Sequence, residues 1–196
     1  MKELRIQRGK WKGKKLSAPE PISGHANFTS SLVKKATFSI LENRLKQLES
    51  SWEDVVWVDF FGGSGQLTIE AVGLGVKKAY CFELDQERFG KLLKIFKDLS
   101  QVRLFRKDAT RYSGTFAIDN EDLCFIYLDP PYTYWTETPV RMNDMLLKVM
   151  SYLKNFKSKG TILCQLPDKA NFPKAIDQWT KEIRTYGSHY LLQIDF

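Results

Sequence analysis

Apolar and polar positions divide the chain into two regimes. Between residues 29 and 48, Leu32, Val33, Ala36, Phe38, Ile40, Leu41 and Leu45 recur at helical spacing, which predicts a helix with one buried stripe. From Asp54 onward the pattern becomes short, continuous apolar runs at 55–61 (VVWVDFF), 79–84 (AYCFEL), 102–107 (VRLFRK), 123–129 (LCFIYLD) and 161–166 (TILCQL). Such runs suit strands buried on both faces, except that the arginines of 102–107 place it nearer a sheet edge. Between them lie helical patterns at 64–74, 86–99 and 139–153, with Gly75 as the C-cap of the first. A short helix near 171–178 and two closing strands, 181–186 and 189–195, complete the reading. This alternation predicts an α/β fold: a doubly wound, mostly parallel, seven-stranded, Rossmann-like sheet.

The segment ahead of this unit reads differently. In residues 4–16, LRIQRGKWKGKKL, apolar and basic residues alternate around Gly9 and Gly13, predicting a small β-hairpin that packs through Trp11 and Leu16. Residues 17–28, with Pro19, Pro21 and Gly24, read as a loop. The expected organisation is an extension over 1–28 and a main domain over 29–196.

Composition changes this picture little. A hydrophobic fraction of 43% supports a continuous core. No apolar run approaches the roughly 20 residues of a membrane helix, and no apolar segment follows the basic N-terminus as in a secretory signal. A cytoplasmic monomer is expected. Cys81, Cys124 and Cys164 sit inside apolar runs without a C-x-x-C spacing, and His25 and His189 lie far apart, so neither a disulfide framework nor a metal site is expected. Charge changes the picture more. The net charge is +7, and residues 1–15 hold Lys2, Arg5, Arg8, Lys10, Lys12, Lys14 and Lys15 against Glu3 alone, a net +6. Such a patch fits a polyanion partner, or else a solvated arm. We assign Arg5, Arg8, Lys10, Lys12, Lys14 and Lys15 to RNA contact.

In an open parallel sheet ligands bind outside the carboxyl ends of the strands, so four loops are candidates. In Asp59-Phe60-Phe61-Gly62-Gly63-Ser64-Gly65, the glycines allow a sharp turn and close approach to a ligand. Asp59 can face a cationic ligand group. Glu83, followed by Leu84 and Asp85, falls eighteen residues after Gly65, where an acid accepts from ribose hydroxyls. Asp85 also suits the N-cap of the next helix. Asp108-Ala109 can meet an adenine, through the carboxylate and the adjacent amide. Asp129-Pro130-Pro131-Tyr132 combines a carboxylate, two prolines that donate no N–H, and a ring. It forms a rigid set of acceptors for an exocyclic amine, with Tyr132 able to stack on a base.

The D-P-P-Y tetrapeptide and the F-x-G-x-G loop resemble those of amino methyltransferases acting on nucleic acids. The wider pattern resembles the RsmD-type 16S rRNA guanine-N2 methyltransferases over nearly the whole chain. It includes Arg5-Ile6, Gly9-Lys10-Trp11-Lys12-Gly13-Lys14-Lys15-Leu16, Glu70-Ala71, Arg184 and Tyr186-Gly187. The resemblance implies S-adenosylmethionine as cofactor, with Glu83 on its ribose and Asp108 on its adenine. It implies no metal, and a flipped-out guanine held by Asp129, Pro130 and Tyr132, in ribosomal RNA or an assembling small ribosomal subunit. The chain departs from the family pattern at Asn27-Phe28-Thr29, where Arg-Pro-Thr is usual, at Leu32 and Lys35, and at Gln165, where a glutamate is common. Three other readings stay open on the residues alone. They are an amino methyltransferase for another RNA or for DNA, a dinucleotide-dependent oxidoreductase, and a non-catalytic RNA-binding module.

Overall fold

A computed structural model of the chain describes residues 3–17, 29–112, 116–166 and 179–196. Strands β1 (Glu3–Arg5) and β2 (Lys15–Ser17) form an antiparallel hairpin, with Leu4 opposite Leu16. Helix α1 (Ser31–Gln47) follows, N-capped by Ser30, whose hydroxyl accepts from the Val33 amide. Strands β3 (Val55–Asp59), β4 (Lys78–Phe82), β5 (Val102–Phe105), β6 (Leu123–Leu128) and β7 (Lys159–Leu166) are parallel. Strands β8 (Thr180–Tyr186) and β9 (His189–Asp195) close the sheet antiparallel. The order is β5-β4-β3-β6-β7-β9-β8, a seven-stranded, mostly parallel sheet with β5 at one edge, as the sequence predicts. Helices α2 (Gln66–Leu74), α3 (Gln86–Phe96) and α6 (Pro139–Asn155) are joined by the single-turn α4 (Ala109–Tyr112) and α5 (Thr133–Thr136), which periodicity does not predict.

The two faces of the sheet support separate cores. Along β3, Val56 and Val58 join one cluster with Phe82, Ile126 and the buried side of α6. Val55 and Trp57 join the other, with Phe38 and Leu41 of α1 and Ile69 of α2. This period of two within a fully buried strand is what a doubly covered parallel sheet requires. Trp57 stacks between Phe38 and Tyr127, with centroids 6.0 and 6.4 Å away. Its indole N–H donates to Thr68 Oγ1 at 3.3 Å. Cys81, Cys124 and Cys164 are buried, free thiols, as expected.

Some expectations are corrected. The stripe on α1 buries Val33, Phe38, Ile40, Leu41 and Leu45 but also Lys34 and Thr37, whereas Leu32 is 52% exposed. Helix α2 starts at Gln66 rather than at 64, because Gly65 takes φ 72°, which cannot continue a helix. The first four predicted parallel strands end one or two residues early, where the chain leaves the sheet to build the loops described below. The loop at 18–28, with Asn27 and Phe28, and the helix near 171–178 lie outside the described residues. Among the described residues, no helix is long and apolar enough to cross a membrane.

Candidate active site

The strand order reverses between β3 and β6: β4 and β5 extend the sheet one way from β3, and β7 the other way from β6. Loops leaving two such strands diverge and open a crevice at their carboxyl ends. The cavity found there is about 580 Å³, within the range of roughly 300–1,000 Å³ usual for ligand pockets. It brings together Asp59, Phe61, Gly62, Gly63, Glu83, Leu84, Asp108, Ala109, Asp129, Pro130, Pro131 and Tyr132. Gly65 does not line it. A Cβ there would stand 2.5 Å from Leu92 Cδ2, so this glycine serves the turn and the packing of α3. Gly62 serves packing as well as lining, since a Cβ would meet Cys81 Sγ at 2.5 Å. Gly63, at φ 53°, is an open stretch of backbone wall, where the nearest atom to a Cβ is Phe61 O at 3.7 Å.

Hydrogen bonds fix the loop after β3 to its neighbours. The Gly62 amide donates to Phe82 O at 2.7 Å, and the Gly63 amide donates to Glu83 Oε2 at 2.8 Å. Glu83 Oε1 accepts from the Asp85 amide at 2.8 Å, so this carboxylate is pinned on both oxygens, and burial raises its pKa. Asp85 caps α3, accepting from the Arg88 amide at 2.9 Å. Asp108 Oδ1 accepts from the Thr110 amide and hydroxyl at 3.0 and 2.7 Å.

Asp59 is 2% exposed. Its two oxygens accept from Thr68 Oγ1 at 2.9 Å and from the Phe61 amide at 3.2 Å. Burial outweighs these bonds and pushes its carboxyl up to about 7. Asp129 accepts from Thr29 Oγ1 at 2.5 Å, and burial raises it to about 6 against the opposing pull of Thr29 and His189. Tyr132 opens α5 and belongs to a polar chain that no local pattern announces. Tyr127 Oη donates to Gln165 Oε1 at 3.4 Å, Gln165 Nε2 donates to Tyr132 Oη at 3.3 Å, and Tyr132 Oη meets His189 Nδ1 at 3.4 Å. Thr29, Lys34, Gln66, Tyr127 and Tyr134 also line the cavity, and sequence reasoning does not single them out as site residues. Gln66, which follows the glycine loop directly, carries the one local signal.

None of the basic hairpin residues lines the cavity. Arg5, Lys10, Lys12, Lys14 and Lys15 are exposed. Arg8 is half-buried in an ion pair with Glu42 and donates to Ser39 Oγ at 3.2 Å. The hairpin nevertheless abuts the site, because Gln66 Nε2 donates to the Arg5 carbonyl at 2.7 Å.

A protein family described as Conserved hypothetical protein 95 matches residues 4–194. The chain belongs to this family. It is an RsmD-type methyltransferase family, in line with the resemblance carried by the motifs. No protein of curated function matches the chain. Among solved structures, this RsmD-type chain is similar to yhhF of Escherichia coli, named there as a candidate methyltransferase. The TM-score is 0.71 at 18% identity, covering 99% of this chain and 98% of that one. A candidate methylase of Haemophilus influenzae gives 0.68 at 21%, covering 99% and 98%. An rRNA methylase from Streptococcus thermophilus gives 0.57 at 14%, covering 86% and 98%. At such identities the likeness shows the fold, a Rossmann-like methyltransferase sheet.

Proposed function

We propose that this methyltransferase transfers a methyl group from S-adenosylmethionine to the exocyclic N2 amine of a guanine in 16S ribosomal RNA. The observation that carries the reading is that the D-P-P-Y loop and the glycine loop open onto one cavity, with acids at both ends. The residues present fit the cofactor. Gly62 and Gly63 give a backbone wall without side chains. Glu83 is the acceptor for ribose hydroxyls, Asp108 for an adenine amino group, and Phe61, Leu84 and Ala109 supply apolar surface. When bound, S-adenosylmethionine supplies an electrophilic methyl on a sulfonium.

The chain's own residues would then position and orient. With a pKa of about 6, Asp129 is ionised at neutral pH. Its carboxylate and the Pro130 carbonyl accept from the two amine N–H groups, directing the nitrogen lone pair away from them. Thr29 holds Asp129 in place. Tyr132 stacks on the extruded base, an interaction worth about 1–3 kcal/mol that offsets unstacking. As the nitrogen gains its methyl it loses a proton, for which Asp129 is a competent acceptor. Proximity in this cavity supplies most of the remaining acceleration. The exposed lysines of the hairpin, next to the cavity through Gln66, suit the phosphates of ribosomal RNA or of an assembling small subunit.

The direct test is incubation with radiolabelled S-adenosylmethionine and small ribosomal subunits from cells lacking this protein, followed by digestion to nucleosides. Label in N2-methylguanosine is expected. Label in another base, from another RNA or from DNA, would keep methyl transfer to an amine and remove the guanine-N2 assignment. In the same assay Asp129→Ala should lower transfer at least a hundredfold while cofactor affinity, measured by calorimetry, stays within about twofold. Retained turnover would remove Asp129 from the amine.

A further inference from the structure

A second stretch of the chain is nearly as basic as the hairpin. From the start of α3 to Arg111 it holds eight lysines and arginines against Glu87, Asp98 and Asp108, a net +5 beside the +6 of residues 1–15. The two stretches carry 15 of the 30 cations and only 4 of the 23 acids, which leaves 15 cations against 19 acids, a net −4, for the rest. Positive charge is therefore segregated, the footprint of a polyanion partner rather than of an evenly solvated surface. Within the second stretch Lys94, Lys97, Arg103, Arg106 and Arg111 are exposed. Ion pairs neutralise little of this charge. Lys91 meets Glu87 at 2.7 Å and Arg111 meets Asp108 at 3.5 Å, but Lys97 and Asp98 are 3.9 Å apart and both largely in water. Charge on β5 also shields a sheet edge from pairing with another chain. That reason does not extend to Lys94 and Lys97, which belong to the C-terminal end of α3.

The fold brings the two stretches to one side of the sheet. The hairpin lies on α2, where the Gln7 amide donates to Glu70 Oε1 at 2.9 Å and the Lys10 amide to Gly73 O at 2.8 Å. Helix α3 packs against the start of α2, with Leu92 and Phe96 closing on Gly65. Ile6, Val72 and Leu92 share one hydrophobic cluster. Both helices return from the carboxyl end of one parallel strand to the amino end of the next, so they run in the same direction. Lys10 sits at the C-terminal turn of α2, and Lys94 and Lys97 end α3, so these cations share the end of the sheet away from the cavity. Arg106 stands at the other end, beside Lys107 of the cavity wall. The nine residues of α2 between those ends span about 13 Å. We infer that α3 and the β5 edge form, with the hairpin, one RNA-binding face that runs from the cavity mouth down α2 and α3 and holds phosphates beyond the target nucleotide. The inference rests on the RNA reading above. Each phosphate neutralised there releases counterions, so the face adds affinity without reading sequence.

The test sets two triple variants of equal charge change side by side. One combines Lys94→Gln, Lys97→Gln and Arg106→Gln. The other combines Lys154→Gln, Lys157→Gln and Lys159→Gln, exposed positions at the end of α6 and the start of β7, away from the hairpin. Each is titrated with 16S ribosomal RNA over a range of salt. The first should weaken binding roughly tenfold and flatten the log–log salt dependence by about 0.7–0.9 for each phosphate no longer neutralised. The second should change Kd less than about twofold and keep the parental slope, since its cations contact no phosphate. Affinity for S-adenosylhomocysteine, read by calorimetry, should stay parental in both, which shows that the domain is folded. An unchanged slope in the first variant would mean that its cations serve only the helix end and the sheet edge, and overturns the inference. Equal flattening in both variants overturns it too, because net charge alone would then account for the effect. If the unaltered protein binds this RNA with no salt dependence, the RNA reading itself fails, and this inference with it.

Discussion

Asp59 and Asp129 end neighbouring buried strands, and burial lifts them to about 7 and about 6, from the 3.8 of an exposed aspartate. A carboxyl that holds its proton more tightly in the folded chain contributes stability that is fully present below pH 3.8 and lost as pH rises through the folded value. Between about pH 4 and pH 7 these two groups therefore make the ligand-free protein less stable as the solution becomes more alkaline. In Asp59→Asn the decline in Tm over that window should be visibly shallower than in the parent. Parallel Tm–pH curves would show that Asp59 is not the source. At the same scale, Gln165 acquires a physical role from the bonds that place it between Tyr127 and Tyr132. Gln165→Leu should reduce transfer several-fold with cofactor affinity unchanged, and combining it with Tyr132→Phe should cost less than the sum of the two, since they share the hydrogen bond from Gln165 to Tyr132. Full additivity in that double-mutant cycle would separate the two residues.

At the scale of elements, two glycines give opposite expectations. Gly90 lies within α3, and a Cβ there meets nothing within 4 Å. Gly90→Ala should raise stability by about 0.5–1 kcal/mol, the difference between the two residues in a helix interior. Gly160 lies within β7 opposite Cys124, at φ 151°, and a Cβ would stand 1.8 Å from the Cys124 carbonyl oxygen. Because the obstacle is backbone of the adjoining strand, Gly160→Ala should cost more than about 3 kcal/mol, beyond the usual range for overpacking. Chemical denaturation of the two variants checks both signs, and a Gly160→Ala protein of parental stability would contradict the pairing of β7 with β6. Gly160 has no such prominence in the sequence, because its constraint comes from a strand thirty-six residues earlier. By contrast Gly75 reads directly as a C-cap and is one, at φ 106°, since a helix end is a local event.

For the whole molecule the main question is how the basic hairpin is held. It is docked on the domain. Leu4 and Ile6 are 7% and 3% exposed, the Gln7 amide donates to Glu70 Oε1 at 2.9 Å, and the Lys10 amide donates to Gly73 O at 2.8 Å. Gly9 fits against Gly73 with no room for a side chain. Deleting the segment would uncover the core around α2 and confuse stability with binding. Changing Lys10, Lys12 and Lys14 together to Gln removes exposed charge and, at Lys10, one cation–π contact with Trp11 at 5.9 Å. It should leave Tm within about 2 °C and flatten the log–log salt dependence of RNA binding by roughly 0.7–0.9 for each phosphate no longer neutralised. An unchanged slope would make the hairpin purely structural.

The sequence by itself determined the kind and order of the strands and of the longer helices among the described residues, since the period of apolar residues reflects which backbone can bury them. It also marked the two loops proposed to carry the chemistry, since a glycine-rich turn after a buried strand and a D-P-P-Y turn are local features. Only the tertiary structure decided which loops meet. Asp59 and Asp129 are neighbours because the strand order reverses between β3 and β6. Tertiary packing also set partners and positions that the local pattern does not show. Lys34 turned inward to Gln66, Arg8 was drawn to Glu42, and Gly65 fell behind the cavity rather than on its wall. Those outcomes depend on interactions between segments far apart in the chain, which strand order and packing fix and local periodicity does not encode.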